Sequence, residues 1–270
     1  MRDSPKRGGR HLGVGSVAGR ATRKRCDANR PWQARDVPVQ VPATNRKGIS
    51  SMKLHRELGI GQKAAWFMLQ RLRKAADEGT PLLSGPVEVD EMYIGGERKS
   101  MHASQRRKLK GRGTVGKTAV AGVKDRKTKQ VRTQVVSRTD KATLQGFVRE
   151  TVEPCPTGYT DEFPSYRNLL GFDHESVKHS VGEYLKDVDV HTNGIESLWS
   201  MFKRGYVGTY HKMSPKHLHR YVAEFQHRQN QREDDTVDQM EALVRQMGPK
   251  RLRYRDLIEP NGLPSGARAA

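Results

Sequence analysis

The sequence predicts an α/β domain preceded by a small helical unit, and three observations carry that expectation. Runs rich in β-formers, Val87–Ile94, Lys117 to Lys124 and Gln130 to Val136, are bounded by Gly95-Gly96 and by the turn sequence Asp125-Arg126-Lys127-Thr128-Lys129. Apolar residues at helical spacing follow them, Leu144, Phe147, Val148 and Val152, then Ile195, Leu198 and Phe202. Ahead of the first strand, residues 50–76 hold two helical segments broken by Gly59-Ile60-Gly61.

Taken in order, residues 1–42 hold ten Lys/Arg and three Asp with almost no periodic apolar pattern, the composition of a disordered basic arm. Two readings of the arm stay open: a DNA-contacting tail, or sequence foreign to the rest of the chain. Residues 43–80 form the second unit. Ser50 or Ser51 can cap a helix carrying Met52, Leu54 and Leu58, and Gln62 to Ala76 resumes with Ala65, Met68, Leu69 and Leu72. A short Gly-containing turn between two helices fits a helix-turn-helix, whose second helix enters the major groove by its N-terminal end. Gln62 and Lys63 would read bases there, and Arg71 would meet phosphate. A plain helical hairpin packed on the next domain is the structural alternative.

The third unit is expected over 83–232. Its first strand leads to Asp90, and the loop from Glu97 to Gly113 carries seven Lys/Arg and one Glu in 17 residues. Beside a site for DNA, Arg106, Arg107, Lys108, Lys110 and Arg112, with Lys117 after them, would guide phosphates. Asp140 or Thr139 can cap the next helix. A strand ending at Asp161, a strand near 175–179 and the helix of Glu196 follow. Arg204 then opens a basic, aromatic, Gly-containing loop, in which Tyr206 and Tyr210 either stack on unpaired bases or pack inward. Ser214-Pro215 starts a further helix with Pro in its first turn. It carries His217, His219 and His227 without a metal-ligand geometry. Residues 233–270 read as a weak acidic helix and a mobile basic tail.

Composition narrows the function classes. The 270 residues carry 50 Lys+Arg against 30 Asp+Glu, a net charge of +20, with 34% hydrophobic and 6% aromatic content. Such a balance favours a polyanionic partner, with nucleic acid first. No 18-residue apolar stretch and no signal-peptide core is present, so the expected location is cytoplasmic and nucleoid-associated, without a membrane partner. Cys26 and Cys155 give neither a CxxC pair nor a disulfide framework.

The segment 191–203 carries the chemistry. Glu196 and Lys203 are seven residues apart, which returns nearly to one helical face, while Ile195, Leu198 and Phe202 form the neighbouring buried stripe. Two aspartates at expected strand ends, Asp90 and Asp161, are the partners. Three carboxylates converging from two strands and a helix suit hard cations such as Mg²⁺. Two such ions about 3.5–4 Å apart would clamp the attacking and leaving oxygens of a phosphodiester displacement.

These residues and their surroundings resemble the DDE transposases with a ribonuclease-H-like core, and more narrowly the ISXO-type insertion-sequence transposases. The resemblance rests on Val89-Asp90-Glu91-Met92-Tyr93-Ile94-Gly95-Gly96, Gly116-Lys117-Thr118-Ala119-Val120 and Tyr159-Thr160-Asp161. It continues through His191-Thr192-Asn193, Ile195-Glu196-Ser197, Lys203-Arg204-Gly205 and Ser214-Pro215-Lys216-His217-Leu218 with Arg220-Tyr221, from about residue 43 to about 232. It implies a mixed-sheet, ribonuclease-H-like catalytic domain behind the helix-turn-helix, and strand cleavage and strand transfer at insertion-sequence ends. It also implies two Mg²⁺ ions, which Mn²⁺ can replace, and double-stranded DNA as partner, both inverted-repeat ends and target, bound by a homo-oligomer. Asp90, Asp161 and Glu196 would hold the metal, with Lys203 on a phosphate. The family's third position is Asn or Glu followed by Lys, so Asn193 competes with Glu196; otherwise Asn193 caps the helix with Glu196 closing a capping box. The zinc ribbon often found ahead of this domain has no counterpart here. A DNA-binding-only relative and a ribonuclease-H-like nuclease are the rival readings.

Overall fold

The computed structural model describes residues 45–77, 79, 81–96, 99, 101–108, 113–154, 157–161, 164–166, 173–177 and 191–264. The basic arm at 1–42, Lys110 and Arg112 lie outside the described residues, as do the side chains of Lys108 and Asp161. The chain divides between residues 37 and 38, and all described residues belong to the second unit.

The centre is a five-stranded mixed sheet: β1 (Val87–Ile94), β2 (Thr118–Asp125), β3 (Val131–Val136), β4 (Thr157–Asp161) and β5 (Asp173–Val177), ordered β3-β2-β1-β4-β5. β1 to β3 form an antiparallel meander, while β4 and β5 run parallel to β1. This is the ribonuclease-H-like arrangement. β1 shows why it forms. Side chains alternate across a strand, and Val87 and Val89 join one buried cluster while Met92 and Ile94 join the other. The strand is covered on both faces, so its β-formers fall on both.

Numbering helices in chain order, α1 is Ser51–Leu58, α2 is Gln62–Ala75, α3 is Ala103–Lys108, α4 is Lys141–Thr151, α5 is Asn193–Gly205, α6 is Leu218–Asn230, α7 is Thr236–Met247 and α8 is Tyr254–Ile258. α4, whose Asp140 cap accepts from the Thr143 amide, packs Leu144, Phe147 and Val148 on the Val87/Val89 face. α5 and α6 cover the other face with Ile195, Leu198, Trp199, Phe202, Leu218, Val222 and Phe225. α6 also seals β3: Asn230 Oδ1 accepts from the Val131 amide at 2.7 Å, and Gln226 Oε1 accepts from that of Thr133 at 2.8 Å.

α1 and α2 meet at Gly59, which takes the left-handed conformation (φ 63°) that ends α1 cheaply. α2 packs on α6 and α7. Its Arg73 is 2% exposed and donates from Nε to Glu224 Oε2 of α6 at 2.7 Å, with its guanidinium 4.0 Å above the Tyr221 ring. Burial works against the Glu224 charge, but the guanidiniums of Arg228 and Arg73 outweigh it and hold the carboxyl down at about 2.

Four expectations are corrected. Asp90 is the fourth of eight residues in β1, because pairing with β2 continues to Ile94. The basic stretch after Gly96 includes a short helix, α3. Residues Tyr206–Tyr210 continue α5 as a π-helical turn, since Tyr210 packs edge-on against Tyr221. The acidic helix expected after 233 is α7, which buries Leu243, but the stretch expected as a mobile tail includes a further helix, α8, which buries Leu257.

Acid should loosen this assembly in a defined window. Burial, then neighbouring Arg220 and Lys216 for His217, and Arg228 and Lys250 for His227, lower both imidazoles to about 4. A histidine whose folded value lies below its unfolded value of about 6.5 adds stability above that value and loses it as pH falls toward the folded one. The melting temperature is expected to drop roughly 5 °C between pH 6.5 and 4.5, before Glu224 begins to contribute. His217→Gln should flatten that slope in a pH series of thermal melts; an unchanged slope would remove the histidine from the account.

Candidate active site

Asp90 lies on the α5 face of the sheet, half-buried. Its Oδ1 accepts from the Glu91 amide at 2.8 Å and its Oδ2 from the Trp199 indole Nε1–H at 3.0 Å. Trp199 reaches it because the residue paired with Asp90 on β2 is Gly122, where a Cβ would fall 2.5 Å from the indole ring. Any larger residue there would push the indole off the sheet and Asp90 would lose its donor.

Asp161 is the last residue of β4. The parallel pairing runs Val87 with Gly158, Glu88 with Tyr159 and Val89 with Thr160, and Asp90 and Asp161 each follow the last of these pairs. The turn that follows, Pro164–Tyr166, is tied to β1 by the Tyr166 hydroxyl, which donates to Glu91 Oε2 at 3.1 Å. Burial and the Glu91 carboxylate push that hydroxyl far above its ordinary range, so it remains a donor.

Glu196 is exposed one turn before Trp199, and its Oε1 accepts from the Thr192 hydroxyl at 3.0 Å. Lys203 is exposed seven residues further on. Asn193 is exposed in the first helical position; the N-cap is Thr192, whose side chain makes no capping hydrogen bond. The capping box expected of Asn193 and Glu196 is therefore absent. Among the described residues no three metal-ligating side chains gather at one point; the Asp161 side chain lies outside them.

The cap comes from elsewhere. Glu88 shares the α5 face with Asp90, two residues earlier, and is 2% exposed. Its Oε2 accepts from the Ile195 amide at 2.8 Å and its Oε1 from Arg126 Nε at 3.0 Å. Arg126 also donates to the His191 carbonyl and stacks 3.8 Å above the Tyr159 ring. Lys124 Nζ donates to the Gly194 carbonyl at 2.9 Å, and burial lowers that lysine's pKa against the pull of Glu88. A carboxylate at a helix N-terminus meets unsatisfied amides and the positive end of the helix dipole. Neither Glu88 nor Trp199 was singled out from the sequence. The signal for Glu88 was a charge between two valines in a strand covered on both faces, which has to be answered by partners.

Of the basic residues expected to meet DNA, Lys63, Arg106, Arg107, Lys117 and Arg204 are exposed, Arg71 is half-buried, and Gln62 is exposed with its amide on Ser51 Oγ at 3.1 Å. Lys63 Nζ sits 4.6 Å from the centre of the Tyr254 ring.

Residues 82–230, from just ahead of β1 to the last residue of α6, match the family model of the ISXO2-like transposase domain. The chain belongs to that family. Among relatives of this ISXO2-like chain, a Halobacterium salinarum protein named as an uncharacterized protein in transposable element ISH50 is 30% identical over 191 residues, 67% of this chain and 64% of its own length. The chain thus spans just under two thirds of that relative. A Haemophilus influenzae protein named as an uncharacterized transposase-like protein is 31% identical over 106 residues, 38% of this chain and 84% of its own.

Within this ISXO2-like domain the cap is testable without activity. A Cβ on Gly194 would lie 2.5 Å from Glu88 Oε2. Gly194→Ala should therefore displace the carboxylate and lower stability by about 1–3 kcal/mol, despite alanine's better helix propensity. Urea unfolding measures it, and an unchanged or raised midpoint would show that the cap tolerates displacement.

Proposed function

We propose that this chain is a transposase in the working sense: a phosphoryl transferase that cuts DNA strands at insertion-sequence ends and joins them to target DNA. The observation that carries the reading is the meeting of Asp90 with α5 through Trp199, with Asp161 one residue past the Val89–Thr160 pair of the neighbouring strand. Glu196 stands one turn from that contact, which supports it over Asn193 as the third acid.

The described donors suit a hard divalent cation. Asp90 is a half-buried carboxylate held by N–H donors, and Glu196 is an exposed carboxylate; both supply the hard oxygen donors that Mg²⁺ takes. Asp90, Asp161 and Glu196 would hold two Mg²⁺ ions. Bound there, the ions supply the positive charge that favours deprotonation of the attacking hydroxyl and stabilises the departing oxygen. The chain's own part is positional. Trp199 and the Glu91 amide fix the orientation of Asp90, the Glu88 cap fixes the start of α5, and Lys203 offers an ammonium to a phosphate on the Glu196 face. In the first step water attacks phosphorus and the bond to the 3′ oxygen breaks, leaving a 3′-hydroxyl. In the second that hydroxyl attacks a target phosphodiester and displaces another 3′ oxygen. No covalent protein–DNA bond is needed.

The exposed N-terminal end of α2 would read the element's ends through Gln62 and Lys63, and the basic surfaces would hold backbone phosphates. A homo-oligomer on DNA, cytoplasmic and nucleoid-associated, completes the proposal. Among the described residues no helix is long and apolar enough to cross a membrane.

Asp161→Asn keeps the shape and removes a charge. It is expected to leave binding of the element's end DNA within a few-fold while nicking and strand transfer fall by about 10³ or more, roughly 4 kcal/mol on the barrier. Lys203→Ala should be milder and partly rescued by Mn²⁺. Full activity in the aspartate variant would place the catalytic centre elsewhere. Wild-type binding without Mg²⁺-dependent nicking would leave a DNA-binding protein, and nicking without joining a nuclease.

A further inference from the structure

We propose that the π-helical turn closing α5 is a DNA contact of a different kind from the cations around it: a braced apolar tip, Val207, that packs into a groove of the bound end about five base pairs from the cut. The inference rests on the transposase reading for the nature of the DNA, and on the geometry of this turn for the contact itself.

From Glu196 to Val207 is 11 residues, three turns of helix, so the two side chains share one face. The exposure pattern follows that face: Glu196, Ser200, Lys203 and Val207 are all exposed, with Ser197, Arg204 and Gly208 beside them. At about 1.5 Å per residue the row spans about 16 Å. Duplex DNA rises about 3.4 Å per pair, so a duplex lying along the row, with its scissile phosphate at Glu196, meets Val207 about five pairs away.

Val207 is 68% exposed, more than any other large apolar side chain among the described residues. A single exposed valine ordinarily means nothing. This one is held out by a turn that is costly to make. The His211 amide donates to the Tyr206 carbonyl at 2.7 Å, closing a π turn, and His211 takes φ 57°, a conformation that non-glycine residues rarely adopt. Beneath the tip, Tyr210 is locked: its ring stands edge-on to Tyr221 at 5.0 Å, and its hydroxyl donates to Glu224 at 3.2 Å. Of the two readings of Tyr210, stacking or inward packing, it takes the second and is the brace, and the valine is what the brace presents. Strain kept at a protruding tip is a mark of sites that act on a partner.

The partner follows from the charges around the tip. Lys203, Arg204 and Lys212 are exposed beside it, and His211 adjoins them. Cations on that scale match a polyanion, and an apolar side chain among them matches the part of that polyanion that is not phosphate. In DNA those surfaces are sugars, base edges and thymine methyls, and apolar side chains pressed on them are a recurrent means of gripping or opening a step.

The test is abasic scanning of the element's end duplex with the full-length protein, binding being read without metal and nicking with Mg²⁺. Removing a base about five pairs from the cut should weaken wild-type binding about fivefold or more. Val207→Ser should bind the intact duplex more weakly and lose sensitivity at that position alone. Val237→Ser, an equally simple change at another exposed valine (54%), should reproduce the wild-type scan. If Val207→Ser gives the wild-type scan and affinity while both proteins nick, the apolar contact is wrong and the transposase reading stands. A position-specific loss in a protein that never nicks would support the contact and overturn the catalytic reading. Failure of the wild type to prefer end DNA would overturn the contact.

Discussion

The carboxylate of Glu88 is taken out of water between β1 and the first turn of α5, and a charge in that position must be answered from within the protein. It is answered by the Ile195 amide and the Arg126 guanidinium, with Lys124 holding the next carbonyl of the same turn. Losing one partner of such a buried set costs about 3–5 kcal/mol, so the helix has little freedom to slide along the strand. Everything catalytic in the proposed reading is downstream of that register. Trp199 finds Asp90, and crosses the sheet over Gly122, only while Ile195 stays on Glu88. Glu196 and Lys203 are placed by the same helix.

The sequence reading recovered elements better than contacts, for physical reasons that differ from one case to the next. Strands and helices were legible because β1 to β3 and α4 to α6 bury periodic apolar faces. The position of Asp90 within its strand was not, since Gly95-Gly96 marks the strand's end but nothing local marks its middle. Asn193 looked like a helix cap because such caps are normally local; the carboxylate that answers the helix comes from 107 residues away and leaves no trace in the neighbouring sequence. Trp199 is buried beside the apolar stripe of Ile195, Leu198 and Phe202, and nothing next to it in sequence marks its second role. Its N–H partner lies 109 residues away in sequence. The residues after 233 lacked a strong apolar face because two short helices need only one or two leucines each to dock. That β4 lies beside β1 depended on strand order, which came from family resemblance and which no spacing could show.

The helical pair ahead of the sheet is mounted firmly. Arg73 of α2 and Glu224 of α6 form an ion pair almost wholly removed from solvent, and Arg228 shares the same carboxylate. α6 in turn lies on the sheet and against α5. In the proposed function the surface that selects DNA and the surface that cuts it are therefore parts of one compact unit. Specificity would come from where the end is held relative to Asp90, with no need for a linker to bring the two together.

One feature of α6 reaches beyond the single chain. By turning Asn230 and Gln226 onto Val131 and Thr133, this helix occupies outward hydrogen-bonding groups at the start of an edge strand. Exposed sheet edges are the cheapest route by which copies of a protein add to one another, and they add without limit. With those groups answered by side chains, a second copy cannot pair with β3 over Val131 and Thr133 without displacing them. In the proposed function, copies would then meet through the spacing of their sites on the nucleic acid in preference to that stretch of strand.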